Sequence, residues 1–119
     1  MKKSPHVYAF DKMPMEKLSD QLSRRFISGE RMTLVHFDLK KGVVVPTHHH
    51  PSEQMSYVIR GKVRVTSNGK EFIVSHGEVI HLPPETPHQF EALEDAIVID
   101  FFSPARTDWL EGKDSYLRK

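Results

Sequence analysis

KVRVTSNGKEFIVS, residues 62–75, is two short apolar runs, KVRVT and KEFIV, separated by a polar break that contains Asn68-Gly69. Val, Ile, Phe and Thr fit the half-buried surface of a pleated strand better than they fit a helix. A type I′ turn needs positive φ at both of its central residues, and Asn and Gly accept that at the lowest steric cost. The stretch therefore predicts an antiparallel hairpin.

The same grammar extends in both directions. From Leu22 onward the chain divides into LSRRFIS, RMTLVHFDL, VVVP, QMSYVI, the hairpin, EVIHL, HQFEA and AIVIDFF, with Gly29-Glu30, Lys41-Gly42, Arg60-Gly61 and His76-Gly77 at the ends of apolar runs. Short strands at near-regular spacing, with no helical pattern between them, predict an all-β fold, a small antiparallel β-barrel or sandwich. Residues 22–103 form the expected barrel. Residues 1–21, broken by Ser4-Pro5 and Met13-Pro14, read as an irregular N-terminal arm with one helical turn around Met15 to Gln21. Residues 104–119 read as a C-terminal tail packed on the barrel through Trp109, Tyr116 and Leu117, so the whole is a single domain.

Bulk composition narrows the function. With 119 residues and 38% hydrophobic content the chain supports one core. Lys and Arg number 17 against 16 Asp and Glu, so no long-range field draws the protein to nucleic acid or to an anionic membrane. No signal-peptide pattern or membrane-spanning stretch stands out, and the cytoplasm is the default compartment. Without cysteine, any metal must be held by nitrogen and oxygen ligands.

THHHPSEQ, residues 47–54, offers such ligands. In extended chain His48 and His50 project to one face while His49 projects to the other. Glu53 and Gln54, opening the next strand, are close enough to add an oxygen ligand. His88, in LPPETPHQF, approaches a later strand behind two prolines, and sheet closure can return it to the first pair. A lone histidine is more often a hydrogen-bonded surface residue. His6, His36, His76 and His81 are read that way, whereas the spacing of His48, His50 and His88 predicts a metal site.

At these residues the chain resembles a known family. Gly42 to Gln54 is similar to the first cupin motif and Gly77 to His88 to the second, which implies a jelly-roll barrel around a divalent metal. Two positions depart from the pattern: Gln54 stands where the motif has an acid, and Glu85 where it has glycine. Gln54 is preferred to Glu53 as the fourth ligand, since strand alternation lets only one of the two face inward. Three neutral imidazoles and a carboxamide leave the full charge of a dication in place, which favours an anionic substrate. Ni, Zn, Mn and Fe all suit such ligands.

The ending IVIDFFSPARTDWLEGKDSYLR resembles that of the pectin-degradation (KdgF-like) cupins, which open the ring of 4,5-unsaturated uronates. Asp100, Phe102 and Arg106 match the D-x-F-x-x-x-R segment of that family. The resemblance implies Asp100 as proton carrier, Arg106 as a bidentate clamp for the sugar carboxylate, and Phe102 as a wall against the sugar. An aspartate in so apolar a run is costly unless paired or functional. Its structural alternative is an ion pair to Arg106. Strand alternation puts Asp100 and Phe102 on one face and Ile97, Ile99 and Phe101 on the other, where they are expected to be core.

The expected function is thus metal-dependent ring opening of an unsaturated uronate to the linear keto-uronate, acting on a small anionic sugar. Two alternatives are another metal-dependent cupin enzyme, such as an iron dioxygenase, and a non-catalytic small-anion-binding module. Small single-barrel cupins often form homodimers, and by fold analogy a homodimer is expected.

Overall fold

The computed structural model describes residues 4–118, and Met1 to Lys3 and Lys119 lie outside the described residues. The chain forms β1 (Glu16–Ser19), β2 (Leu22–Ser28), β3 (Thr33–Leu39), β4 (Val44–His48), β5 (Glu53–Arg60), β6 (Lys62–Ser67), β7 (Lys70–Ser75), β8 (Val79–Leu82), β9 (His88–Ala92) and β10 (Ala96–Ser103). Among the described residues helical structure is confined to a 3-10 turn at Phe10–Lys12, the short helix α1 (Thr107–Leu110) and a 3-10 turn at Ser115–Leu117. All pairings are antiparallel, in one sheet of order β1-β2-β3-β10-β5-β8 and a second of order β4-β9-β6-β7. The two sheets face each other as a jelly roll.

Every run read as a strand from Leu22 onward is a strand. In the β6–β7 hairpin Asn68 and Gly69 have φ of 51° and 78°, the positive pair that the turn requires. Gly61 joins β5 to β6 at φ 84°, and a Cβ there would lie 2.2 Å from the Asp95 carbonyl oxygen, so no other residue fits without a shift of backbone. Pro46 sits within β4, an edge strand, where its missing N–H costs no ladder bond.

Two expectations need correction. The segment expected as a helical turn from Met15 to Gln21 is instead strand β1, and the sheet begins at Glu16 rather than at Leu22. Antiparallel pairing with β2 satisfies its backbone, Leu18 inserts into the core, and the Glu16 carboxylate accepts from Arg24 Nε at 2.8 Å. Tertiary pairing overrode a weak local signal. On β10 the faces are reversed: Ala96, Val98, Asp100 and Phe102 point inward, while Ile97 and Ile99 are half-buried and Phe101 is 41% exposed. Both faces of the strand are apolar, so alternation alone could not say which is interior.

The core runs through Val35, Val58, Val63, Val65 and Val98 between the sheets. At one end it gives way to polar side chains, and there the tail folds over the barrel. Trp109 from α1 packs edge-on to Phe26, Phe37 and Phe102, at ring separations of 5.4, 6.1 and 5.4 Å. The tail is thus part of the packed structure, as Trp109, Tyr116 and Leu117 suggested.

Candidate active site

Both sheets contribute to this end of the barrel. In the smaller sheet the β4–β9 register sets His48 directly opposite His88. In the larger sheet Gln54 and Ser56 of β5 face Phe102 and Asp100 of β10. His50 comes from the loop between β4 and β5. The nitrogen atoms that His48, His50 and His88 can offer a metal lie within 4.8 Å of one another.

Backbone geometry fixes the tautomer of each ring. His48 Nδ1 lies 2.9 Å from the Pro46 carbonyl, His50 Nδ1 2.9 Å from that of Ser52, and His88 Nδ1 2.8 Å from that of Thr86. A carbonyl can only accept, so each Nδ1 carries the proton and each Nε2 presents a lone pair. Burial lowers the pKa of His48 and of His50 to about 4 and lowers that of His88 as well, so the rings are neutral near pH 7. His88 Nε2 is buried with no hydrogen-bond partner.

Gln54 faces inward, buried, and its amide has a defined orientation. Nε2 donates to Ser56 Oγ at 2.8 Å and approaches Asp100 Oδ2 at 3.4 Å, which turns Oε1 toward His50 Nε2 at 3.0 Å. Two acceptors then face each other, an arrangement that a cation between them relieves. These three histidines could hold a metal ion, and the orphaned Nε2 of His88 fits one. Glu53 projects outward and pairs with His81 at 2.6 Å. His49 is also exposed, and its Nδ1 bonds the Glu85 carboxylate at 2.8 Å. Glu85, at the position where the motif has glycine, keeps a positive φ of 61°.

Asp100 lies on the inner face of β10, 6% exposed, with one carboxylate oxygen unpartnered. Burial raises its pKa to about 7, against the pull of the Ser56 hydroxyl and the Arg106 charge. The expected alternative, an Asp100–Arg106 ion pair, is not formed. Arg106 is buried and commits its Nε and Nη2 to Asp108, at 2.9 and 2.7 Å, because α1 begins immediately after it and brings Asp108 alongside. Burial works against that guanidinium's charge, but Asp108 and Tyr116 outweigh it and raise its pKa.

Phe102 is 3% exposed, beneath Arg106 with the guanidinium carbon 4.7 Å from the ring centre and edge-on to His50. The three residues of the D-x-F-x-x-x-R segment therefore meet His48, Gln54 and His88 around one cavity, with the His50 ring 5.1 Å from that of His88.

Sequence reasoning missed Asp108 and Tyr116. Tyr116 Oη accepts from Arg106 Nη2 at 2.7 Å and from Trp109 Nε1 at 3.0 Å, and its ring lies 4.4 Å from that of His48. Tyr116 was read only as an anchor for the tail. Arg24, buried on β2 and bound to Asp114, gave no local signal either. Among the described residues no helix is long and apolar enough to cross a membrane.

Comparison with known proteins gives the family. Residues 35–102 match the model of the cupin domain family. The pectin degradation protein KdgF of Dickeya dadantii is 32% identical over 104 residues, spanning 84% of this chain and 94% of that protein. The structure of KdgF from Halomonas sp. superposes with a TM-score of 0.82 at 28% identity, covering 87% of this chain and 99% of the other. An RmlC-like cupin from Shewanella frigidimarina gives the same TM-score and identity over 92% of this chain and 99% of its own. This chain belongs to the cupin family, and within it is similar to the pectin-degradation protein KdgF.

Proposed function

We propose that this protein opens the ring of 4-deoxy-4,5-unsaturated uronates, giving the linear keto-uronate. The observation that carries the reading is one cavity bordered by two of the three clustered neutral imidazoles, a carboxyl group poised near neutrality and a buried guanidinium. Similarity to the pectin degradation protein KdgF of Dickeya dadantii supports the substrate class.

His48, His50 and His88, with Gln54 as the fourth ligand, would hold a divalent ion such as Ni, Zn, Mn or Fe. When bound, that ion supplies redox-inert Lewis acidity, its charge uncancelled because Gln54 is a carboxamide. The chain's own groups do the rest. Arg106 holds the substrate carboxylate and Phe102 walls the ring, so the sugar is fixed relative to Asp100. Asp100 takes the proton of the anomeric hydroxyl as the bond between the anomeric carbon and the ring oxygen breaks, leaving an aldehyde and an enolate. It then delivers that proton to the enolate carbon, C4, and the enolate oxygen becomes the ketone. The reaction is an isomerisation with no net proton change. A carboxyl near pKa 7 suits both halves at neutral pH.

The test follows the ring enol-ether absorbance in the ultraviolet with unsaturated galacturonate and metal-loaded protein. Asp100→Asn should slow its loss by about 10²- to 10⁴-fold at constant metal content. A rate within a few-fold of wild type would remove Asp100 from the proton path. Oxygen consumption with iron would favour a dioxygenase instead, and binding without turnover a sensor or carrier.

A further inference from the structure

The carboxylate clamp proposed above is usually imagined as a guanidinium fork, but the fork of Arg106 is already in use. Of the five N–H groups on an arginine, that on Nε goes to Asp108 Oδ1, and the two on Nη2 go to Asp108 Oδ2 and Tyr116 Oη. Only Nη1 donates to none of the described groups. A carboxylate arriving at the free end of the guanidinium finds Tyr116 Oη in the place of its second donor.

Donor counting on Tyr116 leads to the same place. Its oxygen accepts from Arg106 and from Trp109 Nε1, and neither partner can accept a bond in return. Both lone pairs are used, and the hydroxyl proton meets no acceptor among the described residues. A phenol keeps its proton at neutral pH. The ring borders the same cavity as His48, Gln54, Asp100 and Arg106. A polar hydrogen with no acceptor inside a binding cavity is an incomplete bond waiting for a ligand.

We infer that Tyr116 is a substrate-binding residue: its hydroxyl and Arg106 Nη1 form a two-donor clamp that takes one carboxylate oxygen each, with Asp108 fixing the guanidinium. The inference deepens the ring-opening reading and rests on it for the identity of the ligand. Splitting the clamp between a cation and a phenol lets Asp108 neutralise the buried charge of Arg106 without blocking both donors. It also ties recognition to the tail, since Tyr116 reaches the cavity from the 3-10 turn at Ser115–Leu117.

The experiment is a double-mutant cycle on the full-length, metal-loaded protein with unsaturated galacturonate: wild type, Tyr116→Phe, Arg106→Ala and both together. Tyr116→Phe should raise KM about tenfold, the scale of one hydrogen bond to a charged acceptor, with a much smaller change in kcat and unchanged metal content. In the Arg106→Ala background, Tyr116→Phe should still lower kcat/KM severalfold. An unchanged KM overturns the inference, and so does a cost that vanishes without Arg106, since that would make Tyr116 a support for the guanidinium alone. Tyr116→His, which keeps a donor and an acceptor on a planar ring, should recover part of the affinity, and serves if the Phe variant does not fold.

Trp109 is the sole tryptophan and bonds Tyr116, so its fluorescence reads the same site independently of turnover. If wild type binds galacturonate saturably and the four proteins keep the predicted order of Kd, but no unsaturated uronate is turned over, the clamp stands and the ring-opening reading falls. Absence of a saturable response in wild type overturns the clamp as well.

Discussion

Two clusters of polar side chains are buried in this small barrel, and they are handled in opposite ways. Around Arg24 each ion has a counter-ion: its Nε donates to Glu16 at 2.8 Å and its Nη2 to Asp114, while Arg118 bridges Glu16 and Asp114 at 2.7 and 3.3 Å. The guanidinium also stacks 4.5 Å from the Trp109 ring centre, and Nη1 alone lacks a partner. Around His88 the three imidazoles are neutral, yet His88 Nε2 has no partner, His50 Nε2 and Gln54 Oε1 face each other as two acceptors, and Asp100 keeps an unpartnered oxygen. Unsatisfied buried polar atoms cost stability. The first cluster fastens the tail to β1 and β2. The second leaves its valences for something that is not protein.

If that contrast is right, the first cluster should answer to stability measurements and the second to ligands. Arg24→Ala removes a buried cation and leaves Asp114 with only the half-exposed Arg118 as counter-ion, which should cost about 3 kcal/mol in urea unfolding. A loss below 1 kcal/mol would mean the tail is held by Trp109 and Leu117 packing alone.

The histidine cluster should respond to metal with the reverse sign. A divalent ion at a hundredfold excess over its Kd should stabilise the folded state by about 2.7 kcal/mol. His88→Ala should abolish most of that shift, while Glu16→Gln should leave it intact. Equal shifts in wild type and His88→Ala would place the ion elsewhere.

Acid unfolding sharpens the comparison further. Arg24 and Arg118 hold the carboxyl pKa values of Glu16 and Asp114 below 4.5 and 3.8, although burial opposes them, most of all at Asp114. In that window the unfolded chain binds more protons than the folded one, so this stability is complete above the ordinary carboxylate values. It is lost as pH falls through the depressed folded ones. Asp114→Asn should therefore lower stability at neutral pH by about 1 to 3 kcal/mol and flatten the decline below pH 4. An acid limb as steep as that of wild type would assign the decline to other groups.

The smallest effect is expected at the rim of the histidine cluster. Glu85 holds φ at 61°, a conformation that costs a side chain about 1 kcal/mol. Its bond to His49 is exposed and is worth about 0 to 1 kcal/mol. Glu85→Gly should be neutral or stabilising by up to about 1 kcal/mol in thermal unfolding. A clear loss of stability would show that the His49–Glu85 contact orders the loop carrying His50.

The legible parts of the molecule were those in which local chemistry and tertiary structure agree. Asn68-Gly69 needed its turn wherever the hairpin lay, and the alternation of His48 and His50 needed only an extended chain. Gln54 was favoured over Glu53 by the same period of two. The six residues from Ile97 to Phe102 show where such reading stops. Their alternation was visible, but with apolar side chains on both faces the interior was assigned to Ile97, Ile99 and Phe101, and the structure places it on Val98, Asp100 and Phe102. Asp100 was still singled out, because a carboxylate in an apolar run demands an explanation on either face, and Phe102 through the resemblance of its segment to that of the KdgF-like cupins.

By itself the sequence determined the strand content, the hairpin, the single core and the candidate ligands, because each depends on propensity, turn sterics or side-chain period within a few residues. Only the tertiary structure decided which face of β10 is inside, that the segment before Leu22 is a strand, and that Arg106 pairs with Asp108 and Tyr116 rather than Asp100. Those outcomes depend on which surfaces remain to be covered once the two sheets have closed. That competition is settled by burial and hydrogen bonding across the whole chain rather than by any neighbour in sequence.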